Sequence, residues 1–263
     1  MKLFSTIAMG AAMLLTAILP AVAQSQGGSD LDSIIKRGTI NVGVGLGTPP
    51  YGFTNAQMQP DGYDVNVAKL IARDLGVKLK LVDTTAANRI PALTSGKLDI
   101  VIYSFSITPE RAKVIAFTDT YYVDKQVYVA PSAKKVESVD GLAGKSVGVT
   151  RASTNDIVTT KNAPKGAKIQ RYDDDATTSQ ALLSGQVDGI VTSGALANAI
   201  ERQNPDLKTF FTVAAAPMAI GLRRGDPDLL HWLNTEIFWL KTTGEIQALQ
   251  KKFMGGEVDL PAY

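Results

Sequence analysis

Cysteine is absent from the 263 residues, and histidine occurs once. The first absence excludes a disulfide scaffold, which a chain able to bury a large core does not need. It also excludes a lipid-modified N-terminal cysteine as a membrane anchor. The second absence excludes serine–histidine chemistry and multi-histidine metal sites, since His231 stands alone beside Trp232 in a helical stretch. A bias of charge is lacking too. Lys and Arg number 27 against 25 Asp and Glu, with no basic cluster, so nucleic acid is not an expected partner. Past the first residues no apolar run is long enough to span a bilayer. The composition, 45% hydrophobic and 20% charged, is that of a soluble globular chain with one large domain or two of moderate size.

Several short motifs are missing as well. GVGLGT, Gly43 to Thr48, follows a strand-like segment, but Thr48 stands where a dinucleotide loop needs its third glycine and PPY follows in place of a helix. No P-loop, HExxH or G-x-S-x-G occurs. Asp173, Asp174 and Asp175 are consecutive, so their side chains diverge, and the run reads as a solvated turn. No cofactor is implied.

What is present begins with an export signal. Residues 1–23 carry Lys2, an apolar core and Ala21-Val22-Ala23 before Gln24, the pattern of a cleaved secretory peptide. The expected location is therefore the bacterial periplasm. From there strands and helices alternate. TINVGVG reads as a strand, GYDVNVAKLIARDLGV as a helix stopped at Gly76, KLKLVD as a strand, NRIPALTSG as a short helix, and LDIVI as a strand buried on both faces. That order predicts an α/β fold with a mostly parallel sheet.

The pattern then repeats. ALTSGKLDIVIYS, Ala92 to Ser104, aligns with ALLSGQVDGIVTS, Ala181 to Ser193, with six identities in thirteen positions. Two lobes built on one βαβ plan are expected, with Ser104 and Ser193 at equivalent carboxyl ends of strands, where open α/β sheets bind ligands. VDKQVYVAP and the segment from Met218 to Leu222 are the candidate crossings between lobes. The tail GDPDLLHWLNTEIFWLKTTGEIQALQKKFMGG reads as two helices broken near Gly244, packing back on the first lobe. The expected division is a first lobe of residues 24–122 and 222–263 and a second of 123–221, joined by a two-strand hinge.

One residue is oddly placed. Thr108-Pro109-Glu110 spells a helix start, with a hydroxyl cap and proline at the first position. Arg111 follows in the first turn, where the helix end prefers anions. Either the side chain reaches solvent or pairs with an acid such as Glu110, or a small anion sits there, suited to a guanidinium fork.

On GYDVNVAKLIARDLGV, NRIPALTSGKLDIVIYSFSITPERAKVIAFTDTYY, the VGV strand of the second lobe and the C-terminal helical pair, the chain resembles the periplasmic amino-acid-binding proteins of ABC importers. The resemblance spans essentially the whole mature chain. It implies a two-lobed periplasmic-binding-protein fold, each lobe a mostly parallel sheet flanked by helices, closing on a small ligand. It also implies a monomer that binds without chemistry and delivers its cargo to an inner-membrane ABC permease.

Residue by residue, the resemblance gives Arg111 the ligand α-carboxylate. Ser104 and Ser106 supply N–H and hydroxyl contacts, with Tyr103 beside them. Thr150 and Thr154 contact the carboxylate or side chain from the second lobe. Thr48 falls where relatives stack an aromatic ring on the ligand, a role open to Tyr51. Arg89 either reads a second carboxylate or lies on the surface of a short helix. Two positions depart from the pattern. Ser193 replaces the aspartate that usually binds the ligand ammonium, and Gly45 stands where many relatives carry an acid or an arginine. Two rival readings are an exported dehydratase acting on a cyclic carboxylate, which needs an acid in the cleft as proton donor, and the sensing module of a receptor.

Overall fold

The computed structural model describes residues 29–255. The export signal expected at residues 1–23 lies outside them. Among the described residues no helix is long and apolar enough to cross a membrane.

The chain opens with α1 (Asp30–Arg37), β1 (Thr39–Val44), the short strands β2 (Gly47–Thr48), β3 (Gly52–Thr54) and β4 (Pro60–Asp61), and α2 (Tyr63–Asp74). It continues through β5 (Lys78–Asp83), α3 (Arg89–Thr94), β6 (Ile100–Val101) and the single turn α4 (Pro109–Ala112). The long strand β7 (Ala116–Pro131) leads into β8 (Ser146–Thr150), α5 (Thr154–Asn162), β9 (Lys168–Tyr172), α6 (Asp175–Leu183), β10 (Gly189–Ser193) and α7 (Gly194–Gln203). A second long strand, β11 (Leu207–Leu222), returns to α8 (Pro227–Thr242) and α9 (Glu245–Leu249).

The main sheet runs β5-β1-β6-β11-β7-β10-β8-β9. β1 is parallel to β5 and β6, and β8 is parallel to β9 and β10. The fold is thus two-lobed and α/β, as expected, with one difference. The two parallel sheets are fused into one, because β7 and β11 pair antiparallel along their whole length and extend into both halves. Gly221 and Leu222 of β11 pair with β6, while Gln126 to Val129 of β7 pair with β10. Four register shifts interrupt the β7–β11 pair, the kind of irregularity that bends and twists a ribbon, and this one ribbon serves both lobes.

Both faces of each half are covered, which explains the unbroken apolar run at LDIVI. Ile100 and Ile102 face a cluster containing Ile40, Val42, Ile71 and, from the C-terminal helices, Leu233, Ile237 and Ile246. Val101 faces the opposite cluster with Leu93, Phe105 and Ile115, which Leu98 joins from just before the strand. Side chains alternate along a strand, so a doubly covered strand shows no polar face. The tail packs on the first lobe in this way, and Gly244, with φ 79°, separates α8 from α9. In the second lobe one cluster gathers Ile190, Leu182 and Leu196, and a second gathers Val149, Tyr128 and Val191.

Candidate functional site

The repeat places Ser104 and Ser193 as the sequence predicts. Both lie at the carboxyl ends of equivalent strands and both line one cavity between the lobes. From the first lobe the walls are Thr48, Ala86, Arg89, Tyr103, Ser104 and Ser106. From the second they are Ser153, Thr154, Asn155, Asp175, Thr192 and Ser193, with Gln126 and Met218 contributed by the two long strands.

Arg111 meets neither solvent nor Glu110. It is 6% exposed, and its Nη1 donates to the Ser106 carbonyl at 2.7 Å and to Thr154 Oγ1 at 2.8 Å. Its Nη2 donates to the Ala152 carbonyl at 3.1 Å. The guanidinium therefore bridges the lobes behind the cavity wall, bonded to two residues that line it, Ser106 and Thr154, without lining it itself. The expected cap is present, with Thr108 Oγ1 accepting the Arg111 N–H at 3.2 Å. However, α4 has only four residues, so a helix dipole contributes little to anion binding here. The longer α5 offers more. It has nine residues, Ser153 caps it by accepting the N–H of Asp156, and its first turn carries Thr154 and Asn155 into the cavity wall.

Arg89 is a buried residue of the cleft, not of a helix surface. It is 3% exposed, donates from Nη1 to the Tyr103 carbonyl at 2.9 Å, and stacks over Phe105 at 4.0 Å. Among the described residues its Nε has no hydrogen-bond partner. Burial pushes its guanidinium down to about 10. Burial, and then the charge of Arg89, push Arg111 down to about 9. Both cations are therefore held in surroundings that an added anion would improve.

Backbone strain marks the same place. Ser104 has φ 34° and Ala152 has φ 58°, left-handed values that side chains other than glycine's seldom adopt and that gather at binding sites. The Ser104 N–H is held by Asp64 Oδ2 at 2.6 Å, while Asp64 Oδ1 accepts the Tyr121 hydroxyl at 2.7 Å. Burial pushes Asp64 up to about 7, against the pull of those two donors and of Arg89. An acid raised this way keeps, in the folded state, a proton that the unfolded chain has lost above about pH 4. Stability therefore falls as pH rises from about 4 to about 7, by up to about 4 kcal/mol, and levels off above. Asp64→Asn, which can still accept from Ser104 and donate to Tyr121, should remove that slope in urea unfolding measured across the range. Parallel curves for the two proteins would refute this role of Asp64.

Of the remaining residues, Tyr103 and Thr48 line the cavity, and each reaches toward Asp175. Thr48 Oγ1 donates to Asp175 Oδ2 at 2.7 Å, and the Tyr103 hydroxyl lies 3.4 Å from the same oxygen. Thr150 stands behind the wall, donating to Asp175 Oδ1 at 2.5 Å. Ser193 is the N-cap of α7, accepting the Leu196 N–H at 3.3 Å. Tyr51 is a correction. Its ring is wholly buried in the first-lobe core against Tyr122, its hydroxyl donates to Asp124, and it does not line the cavity. The loop after Thr48 turns it inward, which residue type alone does not reveal. Gly45 is explained by packing, since a Cβ there would lie 2.1 Å from the Tyr103 ring. Tyr103 occupies the space that a side chain at 45 would need.

Sequence reasoning missed Asp175, Gln126 and Asn155. The aspartate run is not one solvated turn. Asp173 is exposed, Asp174 caps α6 in a capping box with Thr177, and Asp175 is 8% exposed inside the cleft. The D-x-x-T spacing was the available signal. It fixes Asp174 as the cap and so sets Asp175 at the start of α6, beyond the carboxyl end of β9.

Two parallel-sheet halves on a shared strand pair, with a buried polar cleft between them, define a receptor that closes on a small solute. The chain belongs to the bacterial extracellular solute-binding proteins, family 3, whose pattern matches residues 40–256. It is 29% identical to the L-cystine-binding protein TcyJ of Escherichia coli (strain K12), over 87% of each chain. Among solved structures it is similar to a mutant of the arginine-binding protein ArgBP from T. maritima, with a TM-score of 0.82 and 35% identity over 86% of this chain and 99% of that one. It is also similar to the ancestral amino acid-binding protein AncCDT-1, a precursor of cyclohexadienyl dehydratase. There the TM-score is 0.81 and the identity 34%, over 86% of this chain and all of that one.

Proposed function

We propose that this protein is a periplasmic receptor that captures a polar amino acid, or a closely related small carboxylate, and passes it unchanged to an ABC permease. The observation that carries this is Arg111. It is buried, it reaches across the cleft to Thr154, and among the described residues it has no acid as a partner. A ligand carboxylate at the junction of Arg111, Ser106 and the first turn of α5 would meet a cation and free helix N–H groups together. Ser104 and Thr154 flank that position, and Arg89 offers its unpartnered Nε to a further acceptor on the ligand. The pairing of β7 with β11 supports a hinge at the middle of these two strands, between the lobes expected at residues 24–122 with 222–263 and at 123–221. The receptor acts as a monomer, since each chain carries both walls of its cleft.

Ligand binding stabilises the state that binds it. A cognate amino acid at a hundredfold excess over its Kd should raise the Tm by about 5–10 °C. A thermal-shift panel of the common L-amino acids, L-cystine and simple dicarboxylates measures this, and no shift with any of them would contradict the reading.

The dehydratase reading gains one point, because Asp175 is an acid inside the cleft where proton transfer would need one. Yet hydroxyls of Thr48 and Thr150 donate to its two oxygens, the arrangement of an acceptor. Mass spectrometry of the ligand before and after incubation separates the readings, since a receptor returns it with its mass unchanged.

A further inference from the structure

We propose that Asp175 binds a cationic nitrogen of the ligand, the task for which position 193 here provides only a helix-capping hydroxyl. This rests on the receptor reading above and concerns the same cleft. Asp175 is buried, yet among the described residues it forms no ion pair. Arg89 feels its charge but lies beyond ion-pair distance. Its partners are neutral hydroxyls drawn from both lobes, those of Thr48, Tyr103 and Thr150. Removing a carboxylate from water against hydroxyls alone is costly, and a cation restores the balance.

Two further atoms point the same way. The amide oxygens of Gln126 and Asn155 are buried without a hydrogen-bond partner among the described residues, and both residues line the cavity with Asp175. Gln126 is the cross-strand neighbour of Ser193, so its acceptor stands beside the position that lost its charge. Among the described residues the cleft thus presents two cations without anionic partners, Arg89 and Arg111, and one carboxylate without a cation, together with unfilled acceptors. Its complement carries a carboxylate and a positively charged nitrogen. That nitrogen is either the α-ammonium or a side-chain cation, and the experiment separates the two.

Calorimetry first identifies the tightest binder among the common L-amino acids and L-cystine. The Kd of that amino acid is then compared with the Kd of its des-amino counterpart, and that of L-arginine with that of L-citrulline. In the native protein at least one of these pairs should differ by about a hundredfold in favour of the cation. Asp175→Asn should shrink that ratio to within about a factor of three, while Ser193→Ala should preserve it. Asp175→Thr, a second neutral variant, repeats the test should the first not fold. Collapse of the des-amino ratio assigns the α-ammonium to Asp175, and collapse of the citrulline ratio assigns a side-chain cation. Ratios that survive both Asp175 substitutions, or a native protein indifferent to the cation, would overturn the proposal. Arg111→Ala keeps the two readings apart, because it should weaken a ligand and its cation-free counterpart alike. If it does so while Asp175 proves neutral, only the present inference fails. If nothing in the panel binds the native protein, both fail.

Discussion

Arg111→Ala should weaken amino-acid binding by about a thousandfold, to the point where calorimetry at ordinary concentrations detects no heat. The size follows from burial. In water a guanidinium–carboxylate contact contributes little, but Arg111 is enclosed, and burial already disfavours its charge. Removing it would leave the ligand carboxylate in the same enclosed space with hydroxyl and amide donors and no cation in direct contact, Arg89 being committed to the Tyr103 carbonyl and the Phe105 ring. Arg111→Lys should recover only part of the loss, because an ammonium cannot donate at once to the Ser106 carbonyl, to Thr154 and to a carboxylate in the plane of a fork. The substitution also removes the Arg111 contacts to Ala152 and Thr154, so the empty cleft should open more readily. Unchanged affinity in the alanine variant would remove the role assigned to this residue.

The largest effect on stability is expected at Gly62, which does not line the cavity. Its φ is 124°, and an added Cβ would lie 2.4 Å from the Tyr51 carbonyl oxygen and 2.7 Å from the carbonyl carbon. These are backbone atoms and cannot swing aside. Gly62→Ala should therefore cost about 3–5 kcal/mol and lower the Tm by roughly 10 °C. Gly38 supplies the contrast. It too has a positive φ, 67°, but nothing lies within 4 Å of its would-be Cβ, so Gly38→Ala should cost only about 1 kcal/mol. The consequence at Gly62 reaches the site, because that residue is the N-cap of α2, α2 carries Asp64, and Asp64 holds the strained Ser104. Ligand affinity should fall along with stability. Urea unfolding of the two variants side by side decides the matter, and equal costs would show that the space around Gly62 relaxes.

The sequence was most informative where structure follows from short-range pattern. The doubly apolar LDIVI, the amphipathic tail broken at Gly244 and the internal repeat each state a local rule that packing then obeys, and the repeat alone located Ser104 and Ser193 in the cleft. Arg111 was legible as an anomaly, a cation in the first turn of a capped helix start, although the reason proved to be burial across a cleft and not the field of a one-turn helix. The failures are of another kind. Tyr51 and Thr48 lie three residues apart in one loop, and only the path of that loop decides that the threonine faces the ligand space while the tyrosine enters the core. Gln126 sits midway along a bulged strand, where register shifts set which face a side chain takes. Asp175 was hidden by its neighbours, since three successive acids look like a solvated turn unless the capping box is used to number them. Arg89 needed the most context, because nothing local distinguishes a guanidinium stacked on a buried Phe105 from one in solvent.

The central claim is that one cleft, gripped by Arg111 on one side and α5 on the other, takes one small zwitterion. Native mass spectrometry of the protein incubated with a mixture of the common L-amino acids and L-cystine tests it most directly. The account predicts a single one-to-one adduct whose mass identifies one amino acid, absent from Arg111→Ala. A spectrum without any adduct, or with the same adduct on the variant, would contradict it.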